Sequence, residues 1–301
     1  MTKTKIEWAD RVWNPVTGCT KVSAGCANCY AERHAKRFWG DRKFTDVIYH
    51  DGRLTQPLHW QKPSRVFVNS MSDLFHPDVD FDYILRVWMI MERSKLHKFI
   101  ILTKRPERMR IFVNEWLPGA WGLANKNLQL LDKPLQNVWL GVSIENQQTA
   151  DERIPLLLKT PAAKRIVSFE PALGPVDFRG IEYEKNAFLD SLDIEWDEEL
   201  EDMGPKLDWV IMGGESGPGA RPMHPDWARS VRDQCQAAWV PFFFKQFGEW
   251  IHETQVQENM PIHAVSSKRM MADDKYKFIK VGKKHTGHIL DGKEHLEFPG
   301  V

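Results

Sequence analysis

Cysteine is scarce in this chain: 301 residues contain four. So few thiols exclude a disulfide-stapled scaffold. A net charge is also missing, since Lys+Arg and Asp+Glu each total 41. The overall balance therefore carries no footprint of a polyanionic partner, and any basic surface has to be local. No apolar run approaches the length of a membrane span, and the start Met1-Thr2-Lys3-Thr4-Lys5 has no apolar signal core. These absences predict a cytoplasmic protein with no membrane partner, in a compartment where thiols stay reduced and clustered cysteines read as metal-binding or catalytic. There is no internal repeat and no low-complexity stretch.

Apolar material, by contrast, is ample. Hydrophobic residues make up 42% of the chain and tryptophans number 13, enough for the core of one large domain or two ordinary ones. Short apolar runs recur at Val66–Asn69, Phe99–Leu102, Val138–Val142, Arg165–Phe169, Trp209–Met212 and Pro241–Phe244, with a weaker one over Val12–Thr17. Such runs, β-branched or aromatic, suit fully buried parallel strands. Between them, apolar residues spaced at three and four predict helices over Ala27–Trp39, Tyr83–Ser94, Pro106–Trp116, Gln148–Lys159 and Asp226–Ala238. Pro106 suits a first helical turn, and Asp226 an N-cap or first-turn acid. The alternation predicts an α/β fold with a parallel sheet, barrel-like or doubly wound.

Nearly every run exits into polar residues. Asn69, Ser70, Ser72 and Asp73 follow the second, and Thr103, Lys104 and Arg105 the third. Ser143, Glu145 and Asn146 follow the fourth, Ser168 and Glu170 end the fifth, Glu215 and Ser216 follow the sixth, and Lys245 and Gln246 the seventh. Active sites of parallel α/β folds form at the carboxyl ends of the strands, so these exits predict one shared polar pocket. Two segments break the pattern. Residues 180–206 are predicted to be a solvated acidic insertion, dense in Asp and Glu from Glu182 to Asp202, where a helix should follow the fifth strand. After Trp250 the alternation stops. The main domain is thus expected at 1–250 and a small β extension at 251–301, with turn signals at Thr286-Gly287 and Asp291-Gly292.

Three of the four cysteines, Cys19, Cys26 and Cys29, fall within eleven residues. Gly18 and Gly25 precede two of them and free the backbone to wrap a ligand. Three soft thiolates with no fourth beside them predict an iron–sulfur cluster with one iron left open. The alternative is zinc, with His34 completing a Cys3His site, although His34 lies within a continuing helix pattern more than a turn away. His76, His224 and Cys235 read as structural.

The segments Trp13-Asn14-Pro15, Gly18-Cys19, Gly25-Cys26 and Asn28-Cys29-Tyr30-Ala31 together resemble a phage-associated branch of the radical S-adenosylmethionine superfamily. Val210-Ile211-Met212-Gly213-Gly214-Glu215-Ser216-Gly217 and Phe244-Lys245-Gln246-Phe247-Gly248-Glu249-Trp250 extend the likeness over roughly residues 5–250. The resemblance implies a partial TIM-like (βα) barrel of about six to seven parallel strands. It implies a [4Fe-4S] cluster on Cys19, Cys26 and Cys29, with S-adenosyl-L-methionine at the open iron and a 5′-deoxyadenosyl radical that takes a substrate hydrogen. It further implies a reductant such as flavodoxin or ferredoxin, and a host-cytoplasm setting for a phage-encoded chain.

By position, Asn69, Ser70 and Asp73 are then expected at the methionyl group, and Ser143 and Glu145 at the ribose or carboxylate. Ser168 and Glu170 are expected beside them, with Glu215 and Lys245 as catalytic groups. The chain departs from the common pattern in three ways. Its spacing is C-x6-C-x2-C where C-x3-C-x2-C is usual. Asn28 stands where an aromatic residue usually precedes the last cysteine, and Gly213-Gly214-Glu215 ends a late strand instead of the second.

A phage-like branch makes isomerisation or rearrangement in DNA pyrimidine (thymine) hypermodification the expected reaction, with the base flipped out to be reached. A radical enzyme acting on tRNA, damaged DNA or a small molecule is an alternative, as is a zinc-stabilised nucleic-acid-binding module. Two basic clusters suit a nucleic-acid backbone: Lys104, Arg105, Arg108 and Arg110, and Lys36, Arg37, Arg42 and Lys43 with Phe38 and Trp39. The stretch Gly213–Arg221 reads as a permissive loop over the barrel mouth, with Arg221 as a phosphate contact.

Overall fold

The computed structural model describes residues 4–124, 133–193, 206–256, 269–272 and 276–300. One parallel sheet organises it: β1 (Arg11–Trp13), β2 (Arg65–Val68), β3 (Lys98–Thr103), β4 (Val138–Ile144), β5 (Arg165–Phe169), β6 (Trp209–Gly213) and β7 (Phe242–Gln246). Order in the sheet equals order in the chain, and every pairing is parallel. The sheet curls into a half-barrel, and among the described residues β1 and β7 do not pair with each other. Helices α1 (Tyr30–Phe38), α2 (Phe81–Arg93), α3 (Pro106–Ile111), α4 (Gln147–Leu158) and α5 (Pro225–Ala237) alternate with the strands.

Period-two alternation gives the sheet two different faces. Val66, Val68, Ile101, Leu140, Val167 and Met212 point outward into the large core shared with the helices. On the concave side, register sets residues in levels. Phe67, Ile100 and Trp139 share the lowest, and Leu102, Gly141, Ile166 and Trp209 the next. Ser143, Ser168, Ile211 and Phe243 share the third. The concave face therefore turns from apolar to polar toward the carboxyl ends. Its lower half is filled by an aromatic plug around Trp209, whose ring lies 6.4 Å from Trp8, 6.5 Å from Trp139, 6.0 Å from Phe243 and 5.2 Å from Phe298.

Residues beyond 250 take part in that plug. Phe298 packs into the plug, Trp209 Nε1 donates to the Glu297 carbonyl at 2.9 Å, Phe244 N donates to the His295 carbonyl at 2.7 Å, and Leu296 bridges Phe243. A half-barrel leaves its inner aromatic surface open at the bottom, and the C-terminal residues cover it. The β character of the tail is as expected. Trp250–His252, Tyr276–Lys280 and Arg269–Ala272 form an antiparallel sheet, and Asp291-Gly292, both at positive φ, turn the hairpin Ile289–Leu290 and Lys293–Glu294.

Two helix expectations shift. The first helix starts at Tyr30 instead of Ala27, because a 3-10 turn at Ala24–Cys26 and an extended Cys29 come first. α3 runs on past Trp116 through a π-helical stretch Phe112–Trp116 into Leu117–Ala124. After β5 the described residues hold an antiparallel hairpin, Ile181–Glu184 with Ala187–Leu189, within the span expected as an acidic insertion. Glu195, Asp197, Glu198, Glu199, Glu201 and Asp202 of the acidic segment lie outside the described residues. No helix among the described residues is long and apolar enough to cross a membrane.

Candidate functional site

The cysteine loop leaves β1 and crosses the carboxyl ends of the strands. Val16–Thr17 first pairs antiparallel with Ile48–Tyr49, and the Cys19 N–H then donates to the Phe44 carbonyl at 2.8 Å. All three thiols are free and partly exposed. Arg105 Nη1 lies 3.6 Å from Cys19 Sγ and 3.0 Å from Asp73, and its Nη2 donates to the Thr20 carbonyl at 2.9 Å. Burial and the Asp73 carboxylate push the Cys19 thiol up to about 11, against the pull of Arg105. Further along, Ser23 Oγ donates to Glu145 Oε1 at 2.9 Å. Gly25 lies flat on that carboxylate, so a Cβ there would overlap it. Asn28 Nδ2 donates to Glu215 Oε2 at 3.1 Å and to the Gly219 carbonyl at 2.9 Å.

Four carboxylates at strand ends ring this mouth, each with a cation. Besides Asp73–Arg105, Glu145 takes Lys104 at 2.5 Å and Arg153 at 3.2 Å. Burial raises the Glu145 pKa, but Lys104 and Arg153 outweigh it and hold the carboxyl below its ordinary range. Arg221 pairs with Glu215 at 2.7 Å; with Asn28 it overcomes burial in the same way. Lys245 Nζ lies 2.8 Å from Glu170, reaching from β7 to the end of β5. Gly213 makes room between them, because a Cβ there would run into the Glu170 carboxylate. Burial works against the Lys245 ammonium, yet Glu170 keeps it above the ordinary lysine value. Ser168 Oγ donates to Glu170 Oε2 at 3.3 Å, and Ser143 sits level with Ser168. Desolvation of its hydroxyl and the charges of Cys29 and Glu170 raise the Tyr30 phenol above its usual value.

The expected pocket residues thus divide. Ser143, Ser168, Glu170 and Lys245 share the concave face, while Asp73, Glu145 and Glu215 connect to the cysteine loop. Asn69 and Ser70 instead brace the junction with β1. Asn69 ends β2 at φ 60° with Oδ1 accepting from Val16 N at 3.4 Å, and Ser70 Oγ donates to Asn14 while its carbonyl accepts the Tyr30 hydroxyl at 2.5 Å. The basic cluster after β3 does not form a free stripe. Lys104 and Arg105 are paired in the mouth, Arg108 donates to the Val79 carbonyl and lies over Phe81, and Arg110 pairs with Glu107 and Glu115. Arg221 is likewise engaged by Glu215, so it is no open phosphate contact. In the second cluster Arg42 stacks on Trp39 at 4.0 Å and donates to the Thr17 carbonyl.

His34 is exposed on α1 and packs on Phe38 at 4.6 Å, turned to solvent as the helix pattern requires and not back to the thiols. Among the described residues no three His, Cys, Asp or Glu side chains converge on a point that would hold a single ion. A multi-iron cluster takes each thiolate on a separate iron, so its ligands have to border a shared space. Three free thiols lie on one loop, with a guanidinium beside one sulfur. Lys104 and Arg105 stand here as strand-exit residues, while Arg153 and Ser23 were not expected. Parity offered a signal for Lys104, which continues the inward series Ile100 and Leu102.

The family model described as "Protein of unknown function (DUF5131)" matches residues 3–299. No curated protein and no solved structure matches the chain.

Proposed function

Since the chain belongs to the DUF5131 family of proteins of unknown function, its activity has to be argued from its own pocket, and we propose that it is a radical S-adenosylmethionine enzyme. The observation that carries this reading is the seating of three free cysteines, on one loop, over the polar carboxyl ends of a curled parallel sheet. Cys19, Cys26 and Cys29 would hold a [4Fe-4S] cluster, which when bound supplies an electron and an open iron for reductive cleavage of the sulfonium cofactor. Ser143, Ser168, Glu170 and Lys245 offer hydroxyls, a carboxylate and an ammonium to the cofactor or substrate in the same mouth. The aromatic plug fills the concave face below these groups.

For the substrate, the reading is rearrangement at a DNA pyrimidine, thymine in particular. Support comes from α1, which begins at the mouth and exposes Tyr30, His34 and Phe38 together with Lys36 and Arg37. Aromatic faces interleaved with cations suit stacked bases and their phosphates. A small reductant of the flavodoxin or ferredoxin class would supply the electron.

Anaerobic purification tests the metal. Iron and sulfide in near-equal amounts, with cleavage of S-adenosylmethionine to 5′-deoxyadenosine on reduction and loss of both on Cys26→Ala, are expected. Stoichiometric zinc without iron would overturn the reading.

A further inference from the structure

We propose that Asp73, Glu145 and Glu215 are positioning residues that together fix the shape of the three-cysteine loop, each acting at a different point along it. The idea rests on the loop being the metal-binding element. Each carboxylate comes from the end of a different strand, β2, β4 and β6, and each is buried, at 6%, 1% and 5% exposure. Asp73 acts at the start of the loop through Arg105, which reaches both Cys19 Sγ and the Thr20 carbonyl. Glu145 acts in the middle, accepting from Ser23 and lying against Gly25, beside Cys26. Glu215 acts at the end, accepting from Asn28, beside Cys29, and orienting Arg221, whose Nη2 donates to the Ala24 carbonyl at 3.0 Å.

The loop is also held by Thr20 Oγ1, 2.8 Å from His76 Nε2, by the Cys19 N–H on the Phe44 carbonyl and by Asn28 on the Gly219 carbonyl, but it has little regular structure. Between Cys19 and Cys29 its regular structure is the single 3-10 turn Ala24–Cys26. A loop so lightly structured would otherwise spread over many backbone conformations. Its six residues between the first two cysteines are also a longer span than the usual three, which increases that freedom. The attachments are charge-assisted or bonded to ionised groups, the stronger class of hydrogen bond. Each carboxylate is in turn held by a cation outside the loop, Arg105, Lys104 with Arg153, or Arg221, so the anchors are themselves fixed to the barrel. Second-layer groups that orient metal ligands in this way typically govern affinity about 10- to 100-fold.

The full-length chain tests this with two readouts. In metal-free protein, iodoacetamide labelling rates of Cys19, Cys26 and Cys29 are followed by peptide mass spectrometry. In protein reconstituted with iron and sulfide, the chelator concentration that removes half the iron is measured. Asp73→Asn, Glu145→Gln and Glu215→Gln probe the anchors. Ser23→Ala and Asn28→Ala remove loop-side partners without disturbing a buried carboxylate, and keep the test valid where an anchor variant fails to fold. Ser23→Thr, which keeps the hydroxyl, and Asp190→Asn, which breaks the 2.7 Å Arg179–Asp190 ion pair beside the Ala187–Leu189 strand, are the controls. Labelling is expected to quicken at the nearest cysteine, Cys26 for Ser23→Ala and Cys29 for Asn28→Ala, and the half-removal concentration to fall about 10-fold. Ser23→Thr and Asp190→Asn are expected to match wild type. Unchanged labelling and iron retention in Ser23→Ala and Asn28→Ala would overturn the positioning role while leaving the cluster reading intact. Wild-type protein that takes up no iron would overturn the cluster reading, and the labelling pattern would then judge the positioning role alone.

Discussion

Glu170 and Lys245 differ from the other ion pairs of the mouth: among the described residues, neither side chain bonds to the cysteine loop. Each is 17% exposed, shielded enough to strengthen the pair yet open to a ligand. They are the groups to test in catalysis. Lys245→Met leaves the Glu170 carboxylate without its counter-ion, and Glu170→Gln keeps the shape while removing the charge. Turnover is expected to fall by about 10²-fold or more in each, the range of a positioned acid or base, while iron content stays at wild-type level. Iron lost along with turnover would assign the pair to loop support instead. The division between loop anchors and this pair was only half legible in the sequence. The cysteines announce themselves through local spacing, but Arg105 meets Cys19 across 86 positions and Asn28 meets Glu215 across 187. No periodicity joins residues so far apart, so neither contact could be read from the sequence.

At the scale of elements, the two ends of the chain complete a core that the strands alone leave open. Phe298 packs tilted against Trp209 and edge-on against Phe243, and Arg65 lies 4.0 Å over its ring. Phe298→Ala is expected to destabilise the whole protein by about 2–3 kcal/mol, below the usual cost of a fully buried phenylalanine because its ring is only partly buried. Urea unfolding would show one transition moved to lower denaturant. A change of less than about 0.5 kcal/mol, typical of a surface site, would mean the tail is an appendage after all. The strands themselves were readable because buried parallel strands are unbroken apolar runs, and Arg165–Phe169 is found with the same limits in sequence and structure. The hairpin after β5 was hidden because the density of Asp and Glu reads as a solvated insertion, while Ile181 and Leu189 supply only a short apolar pair. The tail's place was hidden for another reason: Phe298 carries no local pattern, and only the curl of the sheet gives it somewhere to go.

For the molecule as a whole, zero net charge coexists with strongly biased titration. His50, His76, His97, His224, His252 and His295 are all held below the ordinary 6.5, with burial the leading cause in each. A buried base takes its proton less readily folded than unfolded. As pH falls through 6.5, the unfolded chain binds more protons than the native one, and stability declines. Glu145 and Glu215 add a second window with the same sign. Burial alone would raise them, but their cations hold both below the ordinary 4.5, so their contribution is complete above that value and disappears as pH drops toward the depressed native values. The two sets reinforce each other on the acid side. The melting temperature is therefore expected to be nearly level from about pH 8 to 7, to decline from about 6.5, and to fall more steeply below about 4.5. Scanning calorimetry of the metal-free protein across this range checks it. A melting temperature that stays level down to about pH 5 would show that the buried histidines do not titrate differently on folding, and would leave the carboxylates as the sole source of acid sensitivity.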